Sequence, residues 1–239
     1  MNIKGKNIYT SGEYLEKNPT WGIEDSYWKA GEINRILKRN NVVPSSVAEV
    51  GCGFGQIIVS LSKMNDQILN LDGFDISPQA IRVAQRSGSD KIKFYQSNFA
   101  EENNAVYDLI LIIDVLEHLN DYIDFLNKIR NKAKYFIFHI PLDLSCRTLL
   151  KPHVILQQRN DVGHLHYFSK EHAEWILKDT GFQITDWFYT FAEVDRNTPS
   201  NIKEWVKKLL RRFSYFVSKN LSTKLWGGYS IMILATNDD

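Results

Sequence analysis

The stretch Val47-Ala48-Glu49-Val50-Gly51-Cys52-Gly53-Phe54-Gly55-Gln56 (residues 47–56) sets three glycines within five positions, directly after a short apolar run. The apolar run predicts a strand. The glycines predict a loop without side chains, where backbone can turn sharply and a ligand can lie against it. Their spacing is G-x-G-x-G. A pyrophosphate cradle reads G-x-G-x-x-G, the third glycine letting the helix N-terminus come close to the phosphates, and position 56 here is glutamine.

Outward from this loop the chain alternates. "GQIIVSLSKM" (55–64) predicts a helix, "ILNLDGFDI" (68–76) a strand, and Ser77-Pro78 a helix opening with a hydroxyl cap and proline in the first turn; that helix runs to Gly88. "KIKFYQS" (91–97) alternates apolar and polar residues, as expected of a strand with one less buried face. "YDLILIID" (107–114) holds five consecutive aliphatics, which suits a central parallel strand covered on both sides. Helix 121–133, strand 134–141, then helix and strand across 169–189 with Gly181 between them, and a last strand "YSIMILAT" complete the series. Strands alternating with helices imply βαβ units. The fold expected is α/β: a Rossmann-like, doubly wound, mostly parallel seven-stranded sheet in one domain. Its parts are an N-terminal helical preface (1–44, with a helix opening near Ser26), a core (45–190), a basic amphipathic helical insert or lid (191–225) and the last strand (226–239).

Bulk properties narrow the function. A chain of 239 residues with 44% hydrophobic and 24% charged residues is ordinary for a globular domain of this size. Its net charge of +1 offers no general field for nucleic acid. Two cysteines, Cys52 and Cys146, fit a reducing compartment better than a disulfide framework, and no stretch reads as a leader or a membrane span. A cytoplasmic location is expected.

In an open α/β sheet ligands lie beyond the carboxyl ends of the strands. Those ends carry Gly51 to Gly55, Asp75, Asn98-Phe99, and Asp114 within "DVLEHL". An acid such as Asp75 can accept hydrogen bonds from both ribose hydroxyls of a nucleoside. S-adenosylmethionine has no phosphate; it carries a zwitterionic tail and a sulfonium, which call for backbone access and nearby oxygens. Glu49 and Asp114 suit that positive charge.

"EVGCGFG", "GFDISPQAI", "DLILIIDVLEHL" and "GHLHYFSKEHAEWILKDTGF", in this order and spacing, resemble class I S-adenosylmethionine-dependent methyltransferases. The likeness is nearest to the small-molecule group of quinone-biosynthesis and sugar or natural-product methyltransferases, and covers residues 45–190 and the final strand. The resemblance implies that Glu49, Gly51, Cys52, Gly53 and Gly55 lie under the methionine part of S-adenosylmethionine, which leaves as S-adenosylhomocysteine. Asp75 would hold the ribose and Ile76 would lie against the adenine. Asn98 and Phe99 would flank the adenine ring, with Asn98 standing where the group often has aspartate. Asp114 and Val115 would border the tail, and Glu117-His118 would open toward the acceptor. Trp28 and Lys29 would close over the cofactor, Lys29 near its carboxylate.

Methylation of an alcohol also needs removal of a proton, for which histidine is suited. Of six histidines, His118, His164 and His166 are the candidates for base or acceptor binding; the last two are two positions apart and would share a face if extended. No metal is expected, since a His-x-His pair without a nearby acid is weak evidence for one. The expected reaction is methyl transfer to a small-molecule acceptor of glycan, quinone or natural-product type, at oxygen, with no nucleic-acid partner. The alternatives are a nicotinamide-dependent oxidoreductase and a non-catalytic S-adenosylmethionine-binding module. Residues 201–219 predict a helix with an apolar stripe and six basic residues against Glu204. It is either a lid over the acceptor pocket or a peripheral contact with the inner face of an anionic membrane. Neither the acceptor nor the oligomeric state follows from the sequence.

Overall fold

The computed structural model describes residues 4–102, 105–191 and 201–237. Seven strands form one sheet: β1 (Ser46–Val50), β2 (Asn70–Asp75), β3 (Ile92–Gln96), β4 (Tyr107–Ile113), β5 (Ala133–Pro141), β6 (Phe182–Thr190) and β7 (Ser230–Asn237). Their order is β3-β2-β1-β4-β5-β7-β6. All the neighbours from β3 to β5 pair in parallel, and β7 runs antiparallel to both β5 and β6. The order reverses between β1 and β4, which is where such sheets bind ligands.

The aliphatic run of β4 is explained by its place. Leu109, Leu111 and Ile113 join Val47, Ile137, Leu234 and the helix residues Ile33, Ile36, Ile58 and Leu61 on one face. Ile110 and Ile112 join Ala48, Val50, Phe136, Phe138, Phe125, Leu126 and Ile176 on the other. Strand residues alternate between the two cores, so an inner strand reads as continuously apolar. β3 lies at the sheet edge, and its alternating exposure matches its alternating sequence.

The helices are α1 (Lys4–Ser11), α2 (Glu13–Lys17), α3 (Ser26–Arg39), α4 (Gln56–Met64), α5 (Pro78–Ala84), α6 (Tyr122–Ile129), α7 (Cys146–Leu150), α8 (Pro152–Asp161), α9 (Lys170–Asp179), α10 (Ile202–Val217) and α11 (Lys219–Trp226). Ser77 caps α5 by accepting a hydrogen bond from the Ala80 N–H at 3.2 Å, with Pro78 in the first turn. Two expectations change. The helix before Gly88 ends at Ala84 and gives way to a 3-10 turn at Gln85–Ser87. The helix expected over 201–219 stops at Val217, because Ser218 is extended and caps α11 instead. Residues 192–200 of the insert lie outside the described residues.

The lid expectation for this helix is also corrected. Trp205, Leu209, Leu210, Phe213, Phe216 and Val217 are exposed, Phe216 at 89%. The buried residue of α10 is Arg211, whose guanidinium lies 5.0 Å from the Tyr229 ring centre and donates to the Gly227 carbonyl. The helix is held by its polar side, and its apolar stripe faces outward.

Candidate active site

β1 ends at Val50, and the loop beyond it turns on glycines at φ of 72°, 53° and 75° for Gly51, Gly53 and Gly55. Side chains would not fit. A Cβ on Gly53 would sit 2.4 Å from Trp21 Cδ1, and one on Gly55 2.3 Å from Phe94 Cε1. Asp75, at the end of β2, accepts from the Gly53 N–H at 2.9 Å and the Ser77 N–H at 2.8 Å. Burial pushes its carboxyl up and these backbone donors work against that. One acid thus ties the glycine loop to β2. Cys52 is a core residue, 7% exposed, so it contributes backbone to the loop and not its thiol.

Glu49 lies in β1 just before the loop, 2% exposed, and its Oε2 has no hydrogen-bond partner among the described residues. Burial pushes its carboxyl up to about 8, with Lys29 opposing. At the end of β4, Asp114 takes a positive φ of 54°, a strained conformation for a non-glycine residue. Its two oxygens meet Lys29 Nζ from α3 at 2.7 Å and His139 Nδ1 from β5 at 2.6 Å. His139 Nε2 in turn meets Thr190 Oγ1 at 2.8 Å. Burial opposes ionisation of Asp114, but His139 and Lys29 together hold it well below the usual carboxylate range. Trp28 packs edge-on to His139 at 6.3 Å.

The N-terminal segment covers this end of the sheet. Tyr9, Tyr14, Trp21 and Phe54 form a run of ring contacts at 4.8, 4.7 and 5.4 Å. Trp21 lies over Gly53, and burial pushes the Tyr14 hydroxyl up to about 12. Sequence alone points to Trp28 and Lys29 for this covering role; the tyrosines and Trp21 carry no motif that marks them. A 780 Å³ cleft lined by Phe74, Phe94, Tyr95, Ser97, Glu101 and Tyr107 opens at the β3 edge.

Past β4, the Glu117 carbonyl accepts from the N–H groups of Leu165 (2.7 Å) and His166 (3.1 Å), which draws the irregular 163–169 segment against the 3-10 turn Leu116–His118. His118 and His164 then lie 5.0 Å apart, centre to centre. Tyr9 Oη lies 2.8 Å from His118 Nδ1, and Asp143 Oδ2 lies 3.0 Å from His164 Nδ1. Glu117, 1% exposed, has no partner for either carboxylate oxygen among the described residues. Burial, reinforced by Asp114, pushes its carboxyl well up. Burial and the neighbouring His164 lower His118 to about 4, so it is neutral at physiological pH.

The grouping alters two expectations. His164 and His166 do not act as a pair, since the segment is not a strand and the His166 ring packs on Tyr122 at 4.7 Å instead. No metal is expected from a His-x-His pair without a nearby acid, yet Glu117, His118 and His164 each offer a ligand atom within 4.8 Å of the others. Of the other expected residues, Val115 lies against Gly51, where a Cβ would come within 2.7 Å of its Cγ2. Asn98 donates its amide to Glu101 at 2.7 Å, which leaves its side-chain carbonyl to accept. The Phe99 ring is corrected: 1% exposed, it stacks edge-on against Phe74 at 4.9 Å, so only its backbone can flank a ligand.

Residues 24–186 match the model of a family described as a methyltransferase domain. The chain belongs to that family. It has the class I methyltransferase fold. The chain is similar to the ubiquinone biosynthesis O-methyltransferase of Aliivibrio fischeri, 24% identical over 172 residues, a match covering 66% of this chain and 65% of that protein. Among solved structures it resembles a putative methyltransferase in complex with the Haloferax volcanii Trm112 activator (TM-score 0.68, 16% identity, all of both chains). It also resembles magnesium protoporphyrin IX methyltransferase from Synechocystis PCC 6803 with bound S-adenosylhomocysteine (TM-score 0.62, 17% identity, 98% of both chains). The site fits the donor: an unpartnered buried oxygen of Glu49, a backbone-only loop and the acid Asp75 stand at the switch point of the sheet.

Proposed function

We propose that the protein transfers the methyl group of S-adenosylmethionine to a hydroxyl oxygen of a small molecule of glycan, quinone or natural-product type. The observation that carries this is the Glu117–His118–His164 cluster, which follows the strand that ends in Asp114. The bound donor supplies a methyl group on a cationic sulfur. Asp75 takes the ribose hydroxyls; Ile76, the Asn98 carbonyl and the Phe99 backbone border the adenine; the unpartnered Oε2 of Glu49 takes the positive charge of the tail. Asp114 is already neutralised, so its part is to hold Lys29, whose remaining N–H groups reach the tail carboxylate. Val115 and Trp28 wall the tail. His118, His164 and Glu117 orient the acceptor hydroxyl for the loss of its proton. Holding acceptor and donor at attack distance in a dry site contributes at most ~7–11 kcal/mol. The decisive experiment supplies methyl-labelled S-adenosylmethionine with hydroxylated quinols, phenols and sugars. Label appearing as an O-methyl group supports the proposal; label only on nitrogen or carbon contradicts it.

The protein also works, on our proposal, at the inner face of an anionic membrane. No helix among the described residues is long and apolar enough to cross a bilayer. The outward stripe of α10 carries Trp205, Phe213 and Phe216, beside exposed Leu149 and Leu150 of α7. Arg147 and Lys151 crowd Lys207 and lower it, so positive charge gathers at the same edge. Apolar anchors among cations suit an interfacial helix. Vesicles containing anionic lipid should pellet the protein and neutral vesicles should not; equal recovery from both would dismiss the idea.

A further inference from the structure

We propose that Glu117, His118 and His164 form a binding site for one divalent first-row cation, placed to hold an oxygen of the methyl acceptor. The proposal deepens the methyl-transfer reading and rests on it for the role of the ion, though not for its binding.

Three observations converge. The first is Glu117, which is 1% exposed, with both carboxylate oxygens unpartnered among the described residues. A buried carboxylate left without donors is costly, and native proteins place one where a cation or ligand completes it. The second is spacing. Its oxygen and one nitrogen from each of His118 and His164 lie within 4.8 Å of one another, and His118 Nε2 stands 3.9 Å from Glu117 Oε1, too far for a hydrogen bond. A cation between them would draw all three to ligand distance, with one carboxylate and two imidazoles as the donor set of common divalent sites.

The third observation is the outer partners of the two rings. His118 Nδ1 meets Tyr9 Oη at 2.8 Å and the Gly163 carbonyl at 3.4 Å, while the Tyr9 hydroxyl donates to the Val162 carbonyl. His164 Nδ1 meets Asp143 Oδ2 at 3.0 Å, and Asp143 Oδ1 accepts from Gln158 Nε2 at 2.8 Å. Both networks are satisfied when the proton sits on Nδ1. That leaves each Nε2 lone pair free, as metal-ligating histidines require. A cluster serving only as packing would not need two imidazoles fixed in the same tautomer beside an unpaired acid. Three protein ligands leave coordination positions open. An acceptor hydroxyl in one of them gives up its proton to water more readily, and its oxygen can then form the C–O bond as the methyl–sulfur bond breaks and sulfur keeps the electron pair.

The test uses the full chain stripped with a chelator and titrated with Mn²⁺, following the free-ion electron paramagnetic resonance signal, with S-adenosylhomocysteine affinity measured in parallel. One site per chain is expected. Glu117→Gln and His164→Asn should each weaken it at least ~10-fold, and Asp143→Asn, a positioning change, by roughly 10–100-fold. S-adenosylhomocysteine binding by each variant shows that it is folded; should Glu117→Gln fail there, His164→Asn and Asp143→Asn decide. Absence of stoichiometric Mn²⁺ binding in a wild-type protein that binds S-adenosylhomocysteine overturns the metal site alone. Failure to bind S-adenosylhomocysteine while Mn²⁺ still binds overturns the methyl-transfer reading instead. Variants that retain wild-type Mn²⁺ affinity overturn the assignment of ligands.

Discussion

Lys29 on α3 places its Nζ 2.7 Å from Asp114 Oδ2 at the end of β4, fastening the N-terminal helix to the centre of the sheet. The pair is largely buried, with side-chain exposures of 17% and 27%, and His139 takes the second oxygen of Asp114. Removing one partner of such a pair leaves a charge without compensation, at a cost of about 3–5 kcal/mol when burial is complete and less here. Lys29→Met should therefore lower the stability measured by urea unfolding by about 2 kcal/mol. Asp114 is held below, and Lys29 above, its ordinary value. The contribution of Asp114 is complete above the unfolded carboxylate value near ~4 and fades as pH falls through the lower native one; that of Lys29 is complete below ~10 and fades as pH rises. The stability gap between wild type and variant should thus close at both extremes of pH.

Glu49 gives the opposite dependence. Its carboxyl rises to about 8 in the fold against ~4.3 in the unfolded chain, so the native state holds the proton longer. Stability should then fall as pH climbs from about 4 to about 8 and level off above. Glu49→Gln removes that slope. Melting curves should show the variant gaining at least ~1 kcal/mol over wild type at pH 8 and little at pH 4. The same change should weaken S-adenosylhomocysteine, which offers an ammonium to this oxygen.

The glycines of the loop separate by what stands above them. At Gly55 a methyl group would meet Phe94, a buried core ring, at φ of 75°. At Gly53 it would meet Trp21, which belongs to the N-terminal cover. Left-handed backbone costs a non-glycine residue about 1–2 kcal/mol in either case. Gly55→Ala should add core repacking and lower the melting temperature further. Gly53→Ala should displace Trp21, reduce tryptophan burial as read by fluorescence quenching, and cost more in cofactor affinity than in stability.

How much could be read from residues alone follows from how local the determinants are. The strands, the Ser77 cap and the glycine loop were legible because hydrophobic period, cap chemistry and positive φ are written in neighbouring residues. The partner of Asp114 was only half legible: Lys29 was named for the cofactor, and its pairing with Asp114 depends on α3 crossing the sheet end. The burial of Glu117 was not legible because "DVLEHL" does not tell which acid is buried, and Asp143 escaped notice because its partner lies 21 positions away. The α10 stripe was seen, but its direction was not. Amphipathicity says that a helix has two faces, and the burial of Arg211 decides which one faces inward.

That inversion makes α10 separable from the fold. Phe213 and Phe216 are 66% and 89% exposed, and surface substitutions of this kind usually shift stability by less than ~0.5 kcal/mol. Phe213→Glu with Phe216→Glu should keep the melting temperature and S-adenosylhomocysteine affinity while abolishing recovery with anionic vesicles. Arg211→Ala should do the reverse, lowering stability by removing the buried guanidinium from Tyr229 and the Gly227 carbonyl.

The central claim is that the loop at 51–55 and Asp75 form an S-adenosylmethionine site, and calorimetric titration tests it most directly. Wild-type protein should bind S-adenosylhomocysteine at one site per chain and show no heat with NADH. Asp75→Ala, losing charge-assisted hydrogen bonds worth about 1.5–3 kcal/mol each, should weaken that binding by at least ~10-fold. NADH binding in preference to S-adenosylhomocysteine, or an affinity for S-adenosylhomocysteine indifferent to Asp75, would contradict the account.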